Sequence, residues 1–172
     1  FNKVKENLDK EPWKSFYQGA LNRVNELMEA TVPPRVSDRG MINAVLAPAR
    51  FISGAVITLA AFYRLTGKEK YAERAWYFIE DTLNWDCWYW PDSDSGIIFD
   101  LATGELSFTL AMALSWLEEW LDQEKYNKII EKVNERIFIP YIKSTTPDDI
   151  ADCVWWYDNH SNNWNPVCNG GA

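Results

Sequence analysis

Phe51-Ile52-Ser53-Gly54-Ala55-Val56-Ile57-Thr58-Leu59-Ala60-Ala61-Phe62-Tyr63 carries no charge and is apolar on every face of a helical projection. A helix of this kind has to be covered all round. The segment predicts a helix over about 47–65, and the next segment of the chain is different in kind. Tyr71, Ala75, Phe78, Ile79 and Leu83 recur at helical spacing, with Glu69, Lys70, Glu73, Arg74, Glu80 and Asp81 between them, so this second helix is buried on one side and wet on the other. Thr66-Gly67-Lys68-Glu69 between the two fits a capping box, with Thr66 as N-cap.

The pattern then returns. After a loop from Trp85 to about Gly104 comes another nearly uncharged helix, Leu106 to Leu117, and after it another one-sided helix whose stripe is Tyr126, Ile129, Ile130, Val133 and Ile137. Glu69-Lys70-Tyr71 and Glu124-Lys125-Tyr126 stand 55 positions apart and hold corresponding places. This is an internal repeat of helical hairpins. Upstream, Trp13, Phe16, Tyr17, Ala20, Leu21, Val24, Leu27 and Met28 mark a one-sided helix opened by Pro12. Downstream, Asn165-Pro166 reads as an N-cap followed by Pro at the first position of a third apolar helix.

Alternating all-apolar and one-sided helices predict an all-α fold of two layers, an inner and an outer, as in an incomplete (α/α) toroid. Links from inner to outer helices are short, and links from outer to inner are long, so antiparallel geometry places the long loops at one rim. Long loops gathered on one face of a scaffold are where binding and catalysis usually sit. A ring of six hairpins would need about six of these units. Residues 1–172 are therefore either an open helical bundle or, as expected here, one partial toroid domain whose remaining helices belong to a longer protein.

The 172 residues are 47% apolar and 24% charged, the composition of a globular domain. The uncharged runs, Phe51 to Tyr63 and Leu106 to Leu117, are shorter than the roughly 18 residues a membrane span needs. Seventeen basic against 25 acidic residues give a net charge of −8, which removes the electrostatic basis for general nucleic-acid binding. Arg35, Arg39 and Arg50 around the first rim loop could serve an anion locally, or be ordinary surface charges. Three cysteines are too few for a disulfide scaffold, and Cys153, His160 and Cys168 match no zinc spacing, so no metal is expected. The sequence carries no signal for an oligomeric state.

The rim loops are aromatic where loops are ordinarily polar. Trp85, Trp88, Tyr89 and Trp90 stand with Asp86, Asp92, Asp94 and Asp100, and Trp155, Trp156, Tyr157 and Trp164 with Asp148, Asp149, Asp152 and Asp158. Indole faces stack on sugar rings while amides and carboxylates bind hydroxyls, so an oligosaccharide suits this set; packing against the helix ends is the other use of the rings. The densest polar motif is Asp158-Asn159-His160-Ser161-Asn162-Asn163-Trp164-Asn165, with the sole histidine of the chain. It offers amide donors and an imidazole.

The string NHSNNWNPVCNGGA over 159–172, with WWYDN before it and TGKEKYAERAWYFIEDTLNW and ATGELSFTLAMALSWL upstream, resembles the heparinase II/III-like polysaccharide lyases and their alginate-lyase relatives. The resemblance runs from about Ala47 to Ala172. It implies an incomplete α/α toroid followed by a β-sandwich, β-elimination of uronate polysaccharides without a cofactor, and export to the periplasm or beyond. It implies that Asn159 neutralises the substrate carboxylate. His160 would be a second donor or the base that takes the C5 proton, with Asn163, Trp164, Trp88, Trp90 and Trp156 binding sugar. The family's catalytic Tyr would lie beyond Ala172, leaving residues 1–172 inactive alone. Two rival readings are a toroid glycoside hydrolase using Asp92, Asp94, Asp100, Asp152 or Asp158, and a carbohydrate-binding scaffold without turnover.

Overall fold

The computed structural model describes residues 1–35, 42–91, 97–146 and 154–172. Among the described residues the regular structure is all helical: α1 (Asn2–Lys5), α2 (Trp13–Glu29), α3 (Ala47–Thr66), α4 (Glu69–Leu83), α5 (Leu101–Trp116), α6 (Gln123–Val133), α7 (Ile139–Thr145) and α8 (Trp164–Gly171). A wide π-type turn, Ile42–Leu46, leads into α3, and another, Asn134–Phe138, joins α6 to α7.

The hairpin α3–α4 turns at Gly67, whose φ of 68° is the left-handed conformation that ends a helix and whose N–H donates to Tyr63 O at 2.7 Å. The expected capping box is absent. Thr66 is the last residue of α3, its hydroxyl donates back to Phe62 O at 2.6 Å, and the residue preceding α4, Lys68, makes no side-chain cap. The Thr66 hydroxyl does accept from Lys68 N at 3.3 Å, so it serves the link to α4 without the return bond from Glu69 that would complete the box. Two later helices are capped by carboxylates: Asp100 Oδ1 accepts from Ala102 N and Thr103 N, and Asp122 Oδ1 accepts from Lys125 N.

Helices α3, α5 and α8 pack side by side in that order; α4 lies against α3, and α6 against α5 and α4. Arg50 meets Glu105 near the first turns of α3 and α5, and Arg64 meets Glu119 near their ends, so the two helices run parallel. Both pairs are 55 positions apart, the repeat spacing. The core between the helices includes the fully buried Phe78, Phe99, Trp88 and Trp156. Each such side chain contributes about 1.5–3 kcal/mol by leaving water.

The stripe read on α4 is buried as expected, together with Ala72, Trp76 and Thr82. Other stripes need correction. Trp13 and Phe16 are exposed and pair with each other, while α2 is held to α3 from Tyr17 onward, where the Tyr17 and Phe62 rings stack at 5.5 Å. Tyr126 is exposed, whereas its counterpart Tyr71 packs edge-on against Phe62; the position 55 after Phe62 is Leu117, which offers no ring. Nor is α3 covered all round, because Gly54 is exposed and Ser53, Ile57 and Thr58 are half-buried. With its entering turn, Ala44–Thr66 is long and apolar enough to pass a membrane-span criterion, and 56% of its most apolar window is buried within the protein. The apolar residues beyond the 51–63 run extend the stretch, and helix packing accounts for most of it.

Candidate functional site

The three long connectors meet at one end of the helices. Arg35 of the first places its guanidinium 5.0 Å over the Trp85 ring of the second and donates from Nη2 to Cys87 Sγ at 3.4 Å. Phe99 O of the second accepts from Trp156 Nε1 of the third at 3.1 Å. Arg136 ties the flanking helices to the same end by donating to Trp85 O and lying 5.6 Å over the Trp88 ring.

Two of the tryptophans expected to bind sugar are core residues. Trp88 is 1% exposed and Trp156 0%, and each spends its indole N–H on a backbone carbonyl, Thr82 O and Phe99 O respectively. A sugar has no face of either ring to stack on. The reason is the turn at 155–157, closed by Tyr157 N donating to Val154 O, which sends Trp156 inward among Phe99, Tyr141 and Tyr157. The same turn sends Trp155 outward. Trp155 is 46% exposed and meets the half-buried Trp164 with ring centroids 5.1 Å apart at 48°. Trp155 is thus the outward-facing ring that sequence reasoning did not select; adjacency to Trp156 was the available signal, without the turn to say which ring points out. Trp90 is half-buried, its main-chain N–H held by Asp100 and its Nε1 buried with no partner among the described residues.

The polar motif forms a closed loop between this turn and α8. Asn165 Nδ2 donates to both Trp156 O and Tyr157 O and so fastens the two ends of the loop together. It is not the N-cap expected for it: α8 starts at Trp164, and Asn162 Oδ1 receives the Trp164 N–H at 2.9 Å. Pro166 accordingly sits inside the first turn. Between these anchors His160 and Asn163 are exposed and Asn159 is half-buried. His160 N donates to Asp158 O, and Asn162 N to Asn159 O. Ser161 Oγ donates to Asn159 Oδ1 at 2.9 Å. The closed loop thus carries Asn159 and the exposed His160 and Asn163 and ends at Trp164, whose ring meets Trp155, while Asn162 and Asn165 serve as structural ties.

Of the rim acids, Asp100 is sealed. Its Oδ2 accepts from Trp90 N, its Oδ1 serves α5, and burial pushes its carboxyl above the ordinary carboxylate value against the pull of these backbone N–H groups. It holds two segments together and is not open to a substrate. Asp158 is exposed. Asp92, Asp94, Asp148, Asp149, Asp152, Arg39 and Cys153 lie outside the described residues. Arg50 is neutralised by Glu105 through three contacts of 2.7–3.0 Å, and Arg35 is engaged with Trp85 and Cys87. Cys168 is buried in α8, where burial raises its thiol to about 12. Among the described residues no group of three or more His, Cys, Asp or Glu could hold a metal ion.

No protein-family model matches the chain, and no curated protein matches it either.

Proposed function

We propose that this chain is an arc of an α/α toroid whose rim binds a uronic-acid polysaccharide, and that it supplies the carboxylate-neutralising residues of a β-elimination. One observation carries the reading: Asn159 and the exposed His160 belong to a fastened loop that ends at the half-buried Trp164, whose ring meets the outward-facing Trp155. The amide and imidazole supply donors for a carboxylate, and the indoles supply a stacking surface for the ring that bears it.

In the reaction, the C5 proton of the uronate becomes removable once hydrogen bonds from Asn159 and His160 disperse the charge of the adjacent carboxylate. A base takes that proton, the C4–O bond breaks, the C4=C5 double bond forms, and the leaving oxygen acquires a proton. His160 is either the second donor or that base. The resemblance of 159–172 to polysaccharide lyases supports this assignment over hydrolysis, and the occupied oxygens of Asp100 remove one hydrolytic candidate. Export from the cytoplasm accords with a polymeric substrate.

The test is incubation of the protein that contains this chain with uronic-acid polymers. A lyase releases an ultraviolet-absorbing unsaturated product, and Asn159→Ala abolishes it. An active Asn159→Ala protein removes the assignment. A saturated new reducing end would establish hydrolysis, and binding without product would establish a carbohydrate-binding scaffold.

A further inference from the structure

We propose that Ser161 is a positioning residue that turns the Asn159 amide so that its N–H2 group, and not its carbonyl, faces an acidic sugar. This rests on the assignment of Asn159 to the substrate carboxylate and adds to it the origin of the preference for a charged over a neutral sugar.

A primary amide has two ends of opposite character, and rotation about its last torsion exchanges them at little cost. With the carbonyl outward it would repel a carboxylate; with the nitrogen outward it offers two donors. Ser161 Oγ lies 2.9 Å from Asn159 Oδ1 and donates to it, which occupies the carbonyl end and leaves Nδ2 without a partner among the described residues. Donation to the carbonyl also polarises the amide and strengthens its N–H groups as donors. The backbone favours this arrangement, since Asn162 N donates to Asn159 O and keeps residues 159–162 in a tight turn with the two side chains close. Of the nearby asparagines, Asn165 spends its Nδ2 on the Trp156 and Tyr157 carbonyls, while Asn162, like Asn159, uses its Oδ1, accepting from Trp164 N. Asn162 is oriented by the backbone N–H of Trp164, whereas the amide of Asn159 is oriented by a side chain, that of Ser161, and so can be released by a single substitution. Ser161 is exposed, so its substitution leaves the core untouched.

The test uses the chain itself with two probes, a uronic-acid tetrasaccharide and the same tetrasaccharide with its carboxylates reduced to alcohols. Calorimetry compares wild type, Ser161→Ala, Ser161→Thr and Asn159→Ala, and nuclear magnetic resonance tracks the order of the Asn159 side-chain amide without ligand. Ser161→Ala is expected to lower uronate affinity about fivefold, the scale of one net hydrogen bond, with the neutral probe unaffected. It also loosens the Asn159 amide, while Ser161→Thr, which keeps the hydroxyl, retains both properties. Wild-type uronate affinity in Ser161→Ala, with Asn159→Ala impaired, overturns the role of Ser161 and leaves the function standing. A wild-type chain that binds both probes alike, or neither, overturns the function and this role with it.

Discussion

Arg50 and Glu105 occupy the same position in successive 55-residue units and join them through a two-pronged ion pair, with Nη2 2.7 Å from Oε1 and Nε 2.9 and 3.0 Å from the two carboxylate oxygens. Arg64 and Glu119 repeat the link one helix length away through a single 3.4 Å contact. Arg50 is half-exposed, so solvent screens the pair. A double-mutant cycle on Arg50 and Glu105 is expected to give a coupling of up to about 1 kcal/mol that shrinks in high salt, and the Arg64–Glu119 cycle less. Equal couplings at both ends would show that geometry does not set the difference.

Gly104 fixes how closely α8 approaches α5. A methyl group at this position would stand 2.9 Å from Val167 O and 3.1 Å from Cys168 Cα, and one at Gly171 would collide with the Gly104 backbone. Backbone cannot move aside as a side-chain tip can. Gly104→Ala is expected to cost about 1–3 kcal/mol in denaturant unfolding, despite the better helix propensity of alanine.

Asp100 joins the second connector to α5 by accepting from Trp90, Ala102 and Thr103. Asp100→Ala leaves these N–H groups unpaired in a buried place and is expected to cost about 2 kcal/mol. The pH dependence has a definite sign. Burial raises the folded carboxyl above its unfolded value, so between the two values the folded chain holds more protons. The contribution of this group to stability therefore falls as pH rises through that interval. Asp100→Asn removes that component of the slope, which unfolding at a series of pH values would reveal.

Trp155 and Trp156 are neighbours with opposite duties. Trp156→Ala is expected to cost about 3–5 kcal/mol of stability, since it empties a site lined by Phe99 and Tyr141. Trp155→Ala is expected to leave unfolding within about 0.5 kcal/mol and to weaken oligosaccharide binding. The reverse pattern, measured by unfolding and calorimetry, would place the stacking surface elsewhere.

Periodicity made the helices legible, because burial of a stripe is a property of a whole segment. The α4 stripe therefore survives in the fold, and the 55-residue spacing returns in the Arg50–Glu105 and Arg64–Glu119 pairs, although Tyr126 is exposed where its counterpart Tyr71 is buried. Single residues at segment ends were less legible. Thr66 could start one helix or finish another, and only the left-handed Gly67 decides it. Asn165 had the right identity for a cap, but its amide has two carbonyls within reach and α8 begins before it, at Trp164. Adjacent aromatics such as Trp155 and Trp156 are identical in composition, so which ring faces water depends on backbone direction that the sequence pattern does not carry.

His160 is the sole histidine of the chain, so its ring proton gives one identifiable magnetic resonance signal. Titration of the chain with a uronic-acid tetrasaccharide is expected to move that signal together with the Trp155 and Trp164 indole signals, and to leave those of Trp88 and Trp156 in place. An unmoved His160 signal at saturating sugar, or an equal shift with the carboxyl-reduced sugar, would contradict the account.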